Sequence, residues 1–459
     1  MRTNRFLALL SIGLVAVVVL ASCIRMEQPA DSWRLPRPVK IEIDQTGTDE
    51  VVFYNYLSPS LIMWGSVASA ENSGGLLLRD GDLIIVGDND DMVLLYHSSD
   101  RQVLKVAFTD WSASLSGKVV AVSPEDPAGR EWLQKASQQE LAGIRFIVVP
   151  EALDPAALPA IERLAAANPY VGMRFESEDT LLQILPFFRP RTLFMPEMDS
   201  VGSSAEMQAL LKDQKQLDTL WMSAKDSGSL DFLPGLPNLR RLVIFEWDIE
   251  QAGPLPAGLT GLKTLMIWES GLGDLSALRN APTGLEELSV IGIEKSVLTD
   301  LSALPPRLRT LILSGNEELT DLSSLDSLKE VRWVGLPENT SQEQFAVILR
   351  THPGLKILEL VEVDGVTDLA PLRGLKGLEG LILAGDYENL ELLRELKSLR
   401  FVGVPKELLE EAPEQVAALR KALPEALVVP VAPMCLGSGW ILLLAPAITL
   451  FGFVKPRWA

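Results

Sequence analysis

Thiols and imidazoles are scarce in this chain of 459 residues, which has two cysteines and two histidines. Cys23 and Cys435 both border long apolar runs, so the part between them has no disulfide framework. The two histidines, His97 and His352, lie far apart in the sequence, and without thiols they do not make a zinc site. We interpret them as surface or capping residues. The stability of the intervening part must come from a packed core.

Motifs that carry chemistry are missing as well. The sequence has no G-x-S-x-G, no P-loop and no G-x-G-x-x-G. The segment Gly87–Asp91 reads GDNDD and offers the oxygen ligands that calcium prefers. It stands between two apolar strand candidates, however, where Gly-Asp-Asn is typical of a hairpin turn. We therefore predict no metal, no cofactor and no enzymatic activity, and an enzyme built on the amino-terminal strands is the least favoured alternative.

Positive charge is in the minority, because 41 Lys and Arg stand against 61 Asp and Glu, a net charge of −20. The segments 1–22 and 435–459 hold four cations and no acids, so residues 23–434 carry −20 − 4 = −24. Such a field repels nucleic acid and anionic lipid headgroups. We predict no nucleic-acid partner.

The first of two long apolar runs opens the chain as MRTNRFLALLSIGLVAVVVLASC. Two arginines, an apolar run and small residues before Cys23 are the layout of a secretory signal peptide, here 1–22. The ending LASC resembles the lipobox of bacterial lipoproteins, and this resemblance implies that Cys23 is lipidated and becomes the first mature residue. Ordinary signal cleavage nearby and an uncleaved anchor are the alternatives.

The second run, 435–454, has twenty mostly apolar residues without a charge, enough for a transmembrane helix. Lys455 and Arg457 follow it and predict a cytoplasmic tail at 455–459. The two ends together predict an exported protein, anchored to a membrane of the bacterial cell envelope on its periplasmic or extracellular face. The tail also resembles bacterial sorting tags that are cleaved later, and this alternative stays open.

A leucine pattern of the form L-x-x-L-x-L recurs nine times in the middle of the chain. Its starts are at 217, 239, 262, 285, 308, 328, 355, 378 and 399. The separations are 22, 23, 23, 23, 20, 27, 23 and 21 residues, and the two irregular ones add up to two ordinary repeats. A period near 23 indicates a solenoid, in which stacked strand-plus-turn coils shield one another's apolar strips.

The segment VTDLAPLRGLKGLEGLIL, 366–383, resembles the leucine-rich repeats of bacterial surface proteins of the internalin type. The segments 298–313 and 319–331 are similar, and all three share Thr-Asp-Leu before the return segment. An aspartate there can accept hydrogen bonds from the free amides of a helical turn. The sequence departs from the family in one respect: the asparagine expected after each strand is present only as Asn316.

Strand and helix patterns extend the array at both ends. They predict a solenoid with a carboxy-terminal cap over 118–430. Short strand candidates predict a small β domain over 41–117, packed on the amino end of the solenoid, and 23–40 reads as a tether. The predicted fold class is α/β, a leucine-rich repeat solenoid (horseshoe) with a small N-terminal all-β domain and a C-terminal transmembrane helix.

Residues between the ladder leucines should point to the hollow side of the horseshoe, where strand side chains are normally polar. The early coils carry apolar ones instead, and such a patch typically marks a contact surface. This concave patch comprises Trp221, Phe245, Trp247, Met266, Trp268 and Ile291. We predict that it binds another protein, or a glycan. Alternatively, the chain's own β domain covers the patch, and the protein is a structural or assembly lipoprotein.

Overall fold

The computed structural model describes most of the chain between residues 33 and 431. The described ranges are 33–44, 50–55, 65–68, 73–87, 92–97, 102–107, 119–121, 127–149, 151–153, 155–195, 204–225, 229–268, 270–292 and 297–431. The predicted signal peptide, Cys23, the run 435–454 and most of the GDNDD segment lie outside them.

Fourteen strands form one parallel sheet in which spatial order follows chain order throughout. They are β8 Val119–Ala121, β9 Phe146–Val149, β10 Gly172–Phe175, β11 Thr192–Met195, β12 Thr219–Ser223, β13 Arg241–Phe245, β14 Thr264–Trp268, β15 Glu287–Ile291, β16 Thr310–Ile312, β17 Trp333–Gly335, β18 Ile357–Val361, β19 Gly380–Ala384, β20 Phe401–Pro405 and β21 Leu427–Val431. An ordered parallel sheet of short strands at a regular period is the leucine-rich repeat solenoid that the sequence predicts, and this prediction is confirmed.

Helices connect the strands, with α-helices prominent in the first coils and 3₁₀ turns prevalent in the later ones. The α-helices are α1 Pro127–Lys135, α2 Gln138–Gly143, α3 Leu158–Ala167, α4 Glu178–Ile184, α5 Ala205–Lys212, α6 Ile249–Ala252, α7 Gln342–Thr351, α8 Lys406–Glu411 and α9 Pro413–Ala422. The 3₁₀ turns are Pro155–Ala157, Leu185–Phe187, Leu233–Gly235, Leu275–Leu278, Ser323–Ser327, Ala370–Gly374 and Leu390–Glu395.

The Thr-Asp-Leu motifs cap these turns as expected. The backbone amide of Ser302 donates to Asp300 at 2.7 Å, that of Ser323 to Asp321 at 2.9 Å, and that of Ala370 to Asp368 at 2.8 Å. Each aspartate therefore satisfies an amide that the short turn leaves without a backbone partner.

The interior of the solenoid is a continuous ladder of aliphatic side chains. Leu265, Leu288, Leu311, Val334 and Leu358 stand in register on neighbouring strands, and each is at most 1 % exposed. Each coil thus buries the apolar strip of the next, at about 1.5–3 kcal/mol gross for each side chain.

One coil has a different register from the predicted one. The leucine spacing puts Leu328, Val331 and Trp333 on the ladder, whereas the structure pairs Trp333 with Thr310 and Val334 with Leu311. The coil therefore starts at 331. The irregular separations of 20 and 27 become 331 − 308 = 23 and 355 − 331 = 24. Trp333 turns to the face of the sheet opposite the leucine ladder, which we call the concave face after the sequence prediction.

Seven strands near the amino end form two small sheets, which we call the β module. They are β1 Arg37–Asp44, β2 Glu50–Asn55, β3 Gly65–Ala68, β4 Ser73–Leu78, β5 Leu83–Gly87, β6 Met92–Tyr96 and β7 Val103–Ala107. One sheet has the order β4-β1-β7, with β1 and β7 parallel, and the other has the order β3-β2-β5-β6. The limits of the predicted domains, 41–117 and 118–430, stay predictions.

The β module is not confined to the amino end of the solenoid. Strand β6 lies beside β8, the first strand of the large sheet, while β3 and β4 pack against β21, the last. The module thus contacts the amino end of the sheet, as expected, and also its carboxy end.

The fold class needs a correction at the carboxy end. Among the described residues, no helix is both long enough and apolar enough to cross a bilayer, so the predicted C-terminal transmembrane helix is not supported. The segment 435–454, on which it rested, lies outside the described residues. The corrected fold class is a leucine-rich repeat solenoid with an amino-terminal β module.

Candidate functional site on the concave face

The strand register places most of the predicted patch on the concave side of the sheet. Trp221 pairs with Val243 and then with Met266 along one row, while Phe245, Trp268 and Ile291 follow one another along the next. These side chains meet little solvent: Trp221 is 2 % exposed, Phe245 5 %, Met266 0 % and Ile291 1 %. Trp268 has intermediate exposure.

Trp247 lies elsewhere. It belongs to the leucine-lined interior of the solenoid, and its indole Nε1 donates to the carbonyl oxygen of Gly253 at 3.1 Å. The structure therefore brings five of the six predicted residues together and puts the sixth on the opposite side of the sheet.

A ladder of aromatic rings continues the patch toward the first coils. The ring centroids of Phe146 and Phe194 are 5.5 Å apart, those of Phe194 and Trp221 5.6 Å, and those of Trp221 and Trp268 5.7 Å. Gly172 separates the first pair, and a Cβ there would come within 2.7 Å of the Phe146 ring. The glycine thus lets Phe146 lean across β10 to reach Phe194, a contact within the preferred range for aromatic pairs.

Strand β4 of the β module covers the other half of the concave face. Alternate residues of this strand face different coils of the sheet. A Cβ on Gly75 would lie 2.2 Å from Cδ2 of Leu427 on β21, and a Cβ on Gly380 of β19 would lie 3.5 Å from Cδ1 of Leu77. The side chains of these later coils are therefore covered on this face by a strand of the same chain.

The glycine pair at the start of β4 allows this close approach. Gly75 faces Leu427 of the solenoid, and a Cβ on Gly74 would lie 2.3 Å from the Phe53 ring. The strand is therefore enclosed on both sides, with no room for a side chain at either position. Close backbone approach is a characteristic reason for glycine within a strand.

Arg79, directly after β4, enters the concave face as a buried cation. Its Nη2 lies 2.6 Å from Oε1 of Glu287, and its guanidinium carbon lies 5.8 Å from the centroid of the Trp333 ring. Thr264 donates from Oγ1 to the other oxygen of Glu287 at 2.9 Å. Trp333 in turn donates from Nε1 to Glu359 at 2.6 Å. A connected polar group therefore joins the β module to four coils.

The turn that presents Arg79 is itself fixed by hydrogen bonds. Oδ2 of Asp82 accepts from the backbone amide of Arg79 at 2.7 Å and from Nδ2 of Asn55 at 2.7 Å. Gly81 within this turn has φ +89°, a conformation that favours glycine. The arginine is thus held in position before it meets the carboxylate.

The ion pair dominates the protonation of Glu287. Burial raises the pKa of this carboxyl, but the Arg79 guanidinium, Arg241 and the Thr264 hydroxyl outweigh burial and hold the pKa below its ordinary value. Because the folded-state pKa is lowered, the stabilisation is present at neutral pH and is lost as the pH falls through that pKa.

Sequence reasoning missed Phe146, Phe194, Trp333 and Arg79. The first two precede the regular leucine pattern, which starts at 217. Trp333 was assigned to the interior because the coil was started at 328 instead of 331. An even period of 23 residues would have given 331. No local signal marks Arg79, since its partner is more than two hundred residues away in the chain.

Carboxylates gather at the opposite, carboxy-terminal ends of the later strands. Burial, and then repulsion by Glu317, Glu362 and Asp364, raises the pKa of Glu338 to about 7. Within the described ranges, no group of three or more potential ligand residues has a geometry that could hold a metal ion. This acidic group is a charged surface and carries no metal assignment.

No family model and no curated protein matches the sequence. Solved structures similar to the chain include two internalins from Listeria monocytogenes. InlF has 18 % identity and a TM-score of 0.33, covering 60 % of this chain and 92 % of that one. InlC2 has 20 % identity and a TM-score of 0.30, covering 46 % and 92 %. The mouse RP105/MD-1 complex has 14 % identity and a TM-score of 0.34, covering 57 % and 50 %.

The predicted leucine-rich repeats are thus confirmed by the strand register itself, and two of these similar structures are internalins. At such identities and TM-scores the likeness concerns the fold alone.

Arg79→Met should lower the free energy of unfolding by about 3–5 kcal/mol, because it leaves the Glu287 carboxylate buried without its cation. Adding Glu287→Gln should restore much of that loss, since the remaining amide is neutral. Urea unfolding of the two single variants and the double variant measures the coupling. Lys135→Met, which breaks an exposed pair with Glu131, is the control and should leave the midpoint unchanged. An Arg79→Met midpoint equal to that of the control would show that the pair contributes nothing.

Glu338→Gln should stabilise the protein at pH 8 and have little effect at pH 5. The ordinary pKa is 4.5 and the folded-state value is about 7, so ionisation of Glu338 opposes folding as the pH rises between them. We expect a gain of about 1 kcal/mol at pH 8, since the carboxyl is only half-buried and solvent screens the repulsion. Thermal unfolding from pH 5 to pH 8 measures it, with exposed Glu410→Gln as control. Equal effects of Glu338→Gln at both pH values would contradict the assignment.

Proposed function

We propose that the protein is a non-enzymatic scaffold for protein–protein recognition, in which the β module occupies the concave face and the partner binds another surface. The observation that carries this proposal is the burial of Trp221, Met266 and Ile291 together with the Arg79–Glu287 pair. A partner that used the concave face would first have to remove the β module, whose Arg79 pairs with Glu287 on β15, the strand that also carries Ile291. Removal would expose apolar side chains worth about 1.5–3 kcal/mol each and leave a buried charge without its counterion.

The protein would act at the bacterial cell envelope, attached through a lipid on Cys23. Support for this part comes from the sequence alone, from the signal-peptide layout of 1–22 and the LASC ending. Neither a metal nor a cofactor enters the proposed function.

A second candidate function is recognition by the concave patch itself, of a protein or a glycan, after the β module has moved away. The observation that favours it is the chemistry of the covered face. Arg79, Glu287 and Glu359 lie among the aromatic side chains, so a ligand with apolar and charged groups could replace the contacts of β4.

A disulfide between the β module and the solenoid separates the two functions. A Cβ on Gly75 would lie 3.0 Å from Cγ of Leu427, so Gly75→Cys with Leu427→Cys puts two sulfurs within bonding reach. Full-length protein is crosslinked in its native envelope in the oxidised and the reduced state, and the captured proteins are identified. We expect the same partners in both states, because the concave face is not used.

The double variant Gly75→Ser with Leu427→Ser, whose side chains are of similar size and cannot form the bond, is the control for the altered side chains. Partners that are lost on oxidation and return on reduction would overturn the first function and favour concave recognition.

The lipid anchor predicts an acylated cysteine as the first residue of the mature protein. Mass spectrometry of the amino-terminal peptide should find residues 1–22 removed and Cys23 carrying acyl mass. Cys23→Ser should release the protein from the membrane fraction if the lipid is the anchor. A mature terminus at another residue, or an unmodified Cys23, would refute the lipoprotein assignment.

A further inference from the structure

An exposed group of two aromatic rings and three arginines lies at the amino-terminal ends of β9, β10 and β11. Only four large apolar side chains of the described residues are exposed, and two of them are Tyr170 at 50 % and Phe187 at 44 %. Arg145, Arg189 and Arg191, which precede β9 and β11, are exposed as well. We call these five residues the arginine–aromatic patch.

Backbone hydrogen bonds between coils bring the five residues together. The amide of Gly172 donates to the carbonyl of Arg145 at 3.0 Å, which sets the start of β10 beside the start of β9. The amide of Arg189 donates to the carbonyl of Pro169 at 2.7 Å, which sets Arg189 beside Tyr170. The patch therefore lies at the edge of the sheet where β9, β10 and β11 begin.

Two of the arginines are held in place by their neighbours, one over an aromatic ring and one by backbone carbonyls. The guanidinium carbon of Arg191 lies 5.9 Å from the centroid of the Tyr170 ring. Nη1 of Arg189 donates to the carbonyls of Phe188 at 2.6 Å and Pro186 at 3.2 Å, so its side chain lies against the segment that carries Phe187. A cation stacked on a ring keeps its outer N–H groups available to a carboxylate.

The arginine–aromatic patch differs in charge from the same edge of the sheet at later strands. There, Lys263 pairs with Glu286 at 3.0 Å and Lys356 with Glu379 at 2.7 Å. Among the residues that the structure describes, no carboxylate lies within ion-pair distance of the three patch arginines; Asp218 in the next coil is near enough to Arg191 to attract it electrostatically. In a chain of net charge −20, the patch is a local concentration of positive charge.

We infer that the arginine–aromatic patch is the docking surface for a partner protein, through a segment that combines carboxylates with an apolar or aromatic side chain. Tyrosine and arginine are the residue types that most often dominate binding energy at protein interfaces. An anionic bilayer fits less well, because exposed Asp213 and partly buried Asp218 lie in the neighbouring coil and would meet the same membrane. This inference rests on the proposed function and gives it a surface.

The probe for the test is a fluorescent random copolymer of glutamate and tyrosine, titrated onto the full-length protein at low ionic strength. We expect saturable binding that weakens with added salt. Reversal of the patch charges with Arg145→Glu, Arg189→Glu and Arg191→Glu should weaken it at least about tenfold, and Tyr170→Ser with Phe187→Ser about fivefold.

Matched controls make the result specific. Arg350→Glu, Lys376→Glu and Lys421→Glu change the net charge equally at exposed positions elsewhere, and Val297→Ser removes another exposed apolar side chain. Both controls should bind the copolymer within about twofold of the unmodified protein. Equal losses in patch and control variants, or no binding, would overturn the inference. So would tighter binding to phosphatidylglycerol vesicles through the same five residues, since that would assign the patch to a membrane.

The failure of this inference is distinguishable from failure of the proposed function. If the patch variants still capture the native envelope partners while the 75–427 disulfide is closed, the partner uses another outer surface and only the patch assignment is lost. If closing that disulfide abolishes capture, the proposed function is lost.

Discussion

The exclusion of water from the concave face is the constraint on which the rest of the structure depends. A horseshoe can leave its hollow side open only if the strand residues there are polar. In this chain many of them are aromatic or aliphatic and need a cover, and over the later coils β4 supplies it, with Gly75 against β21, Leu77 against β19 and Arg79 against β15 and β17. The protein thus has two apolar layers, one on each side of the same sheet, and the β module is part of the second.

Burying an ion pair between the two parts adds little net stability, because desolvation offsets most of the Coulombic gain. The ion pair instead determines where β4 lies along the sheet. An apolar strand could slide along an apolar face at little cost, whereas Arg79 satisfies its charge only where Glu287 and the Trp333 ring are together. The hydrogen bonds of Asp82 hold the arginine at the start of its turn, so a single pair of residues sets the alignment of β4 on the later strands of the sheet.

The sequence predicts the solenoid well because its signal is repeated. One misread coil, at 328 instead of 331, left the other coils in place, and the register puts five of the six patch residues on the face opposite the leucine ladder. Trp247 was placed wrongly because it follows Phe245 at the two-residue spacing of a strand. The strand ends at Phe245, and the chain then turns into the interior of the solenoid. The docking of the β module could not be predicted, because it depends on contacts such as Gly75 with Leu427. Such contacts join distant residues and produce no repeating pattern in the sequence.

Repeat proteins are usually quasi-one-dimensional: each coil touches only its neighbours, and folding can start anywhere and spread. Here β3 and β4, near the start of the chain, touch β21, the last strand of the sheet. That contact closes the array on itself. Fraying of the last coil is therefore coupled to the β module, and stability becomes more cooperative than in an open array. During synthesis, β4 cannot pack against β21 until nearly the whole chain has been made. Until then the strand stays exposed, and exposed strands of this kind favour aggregation.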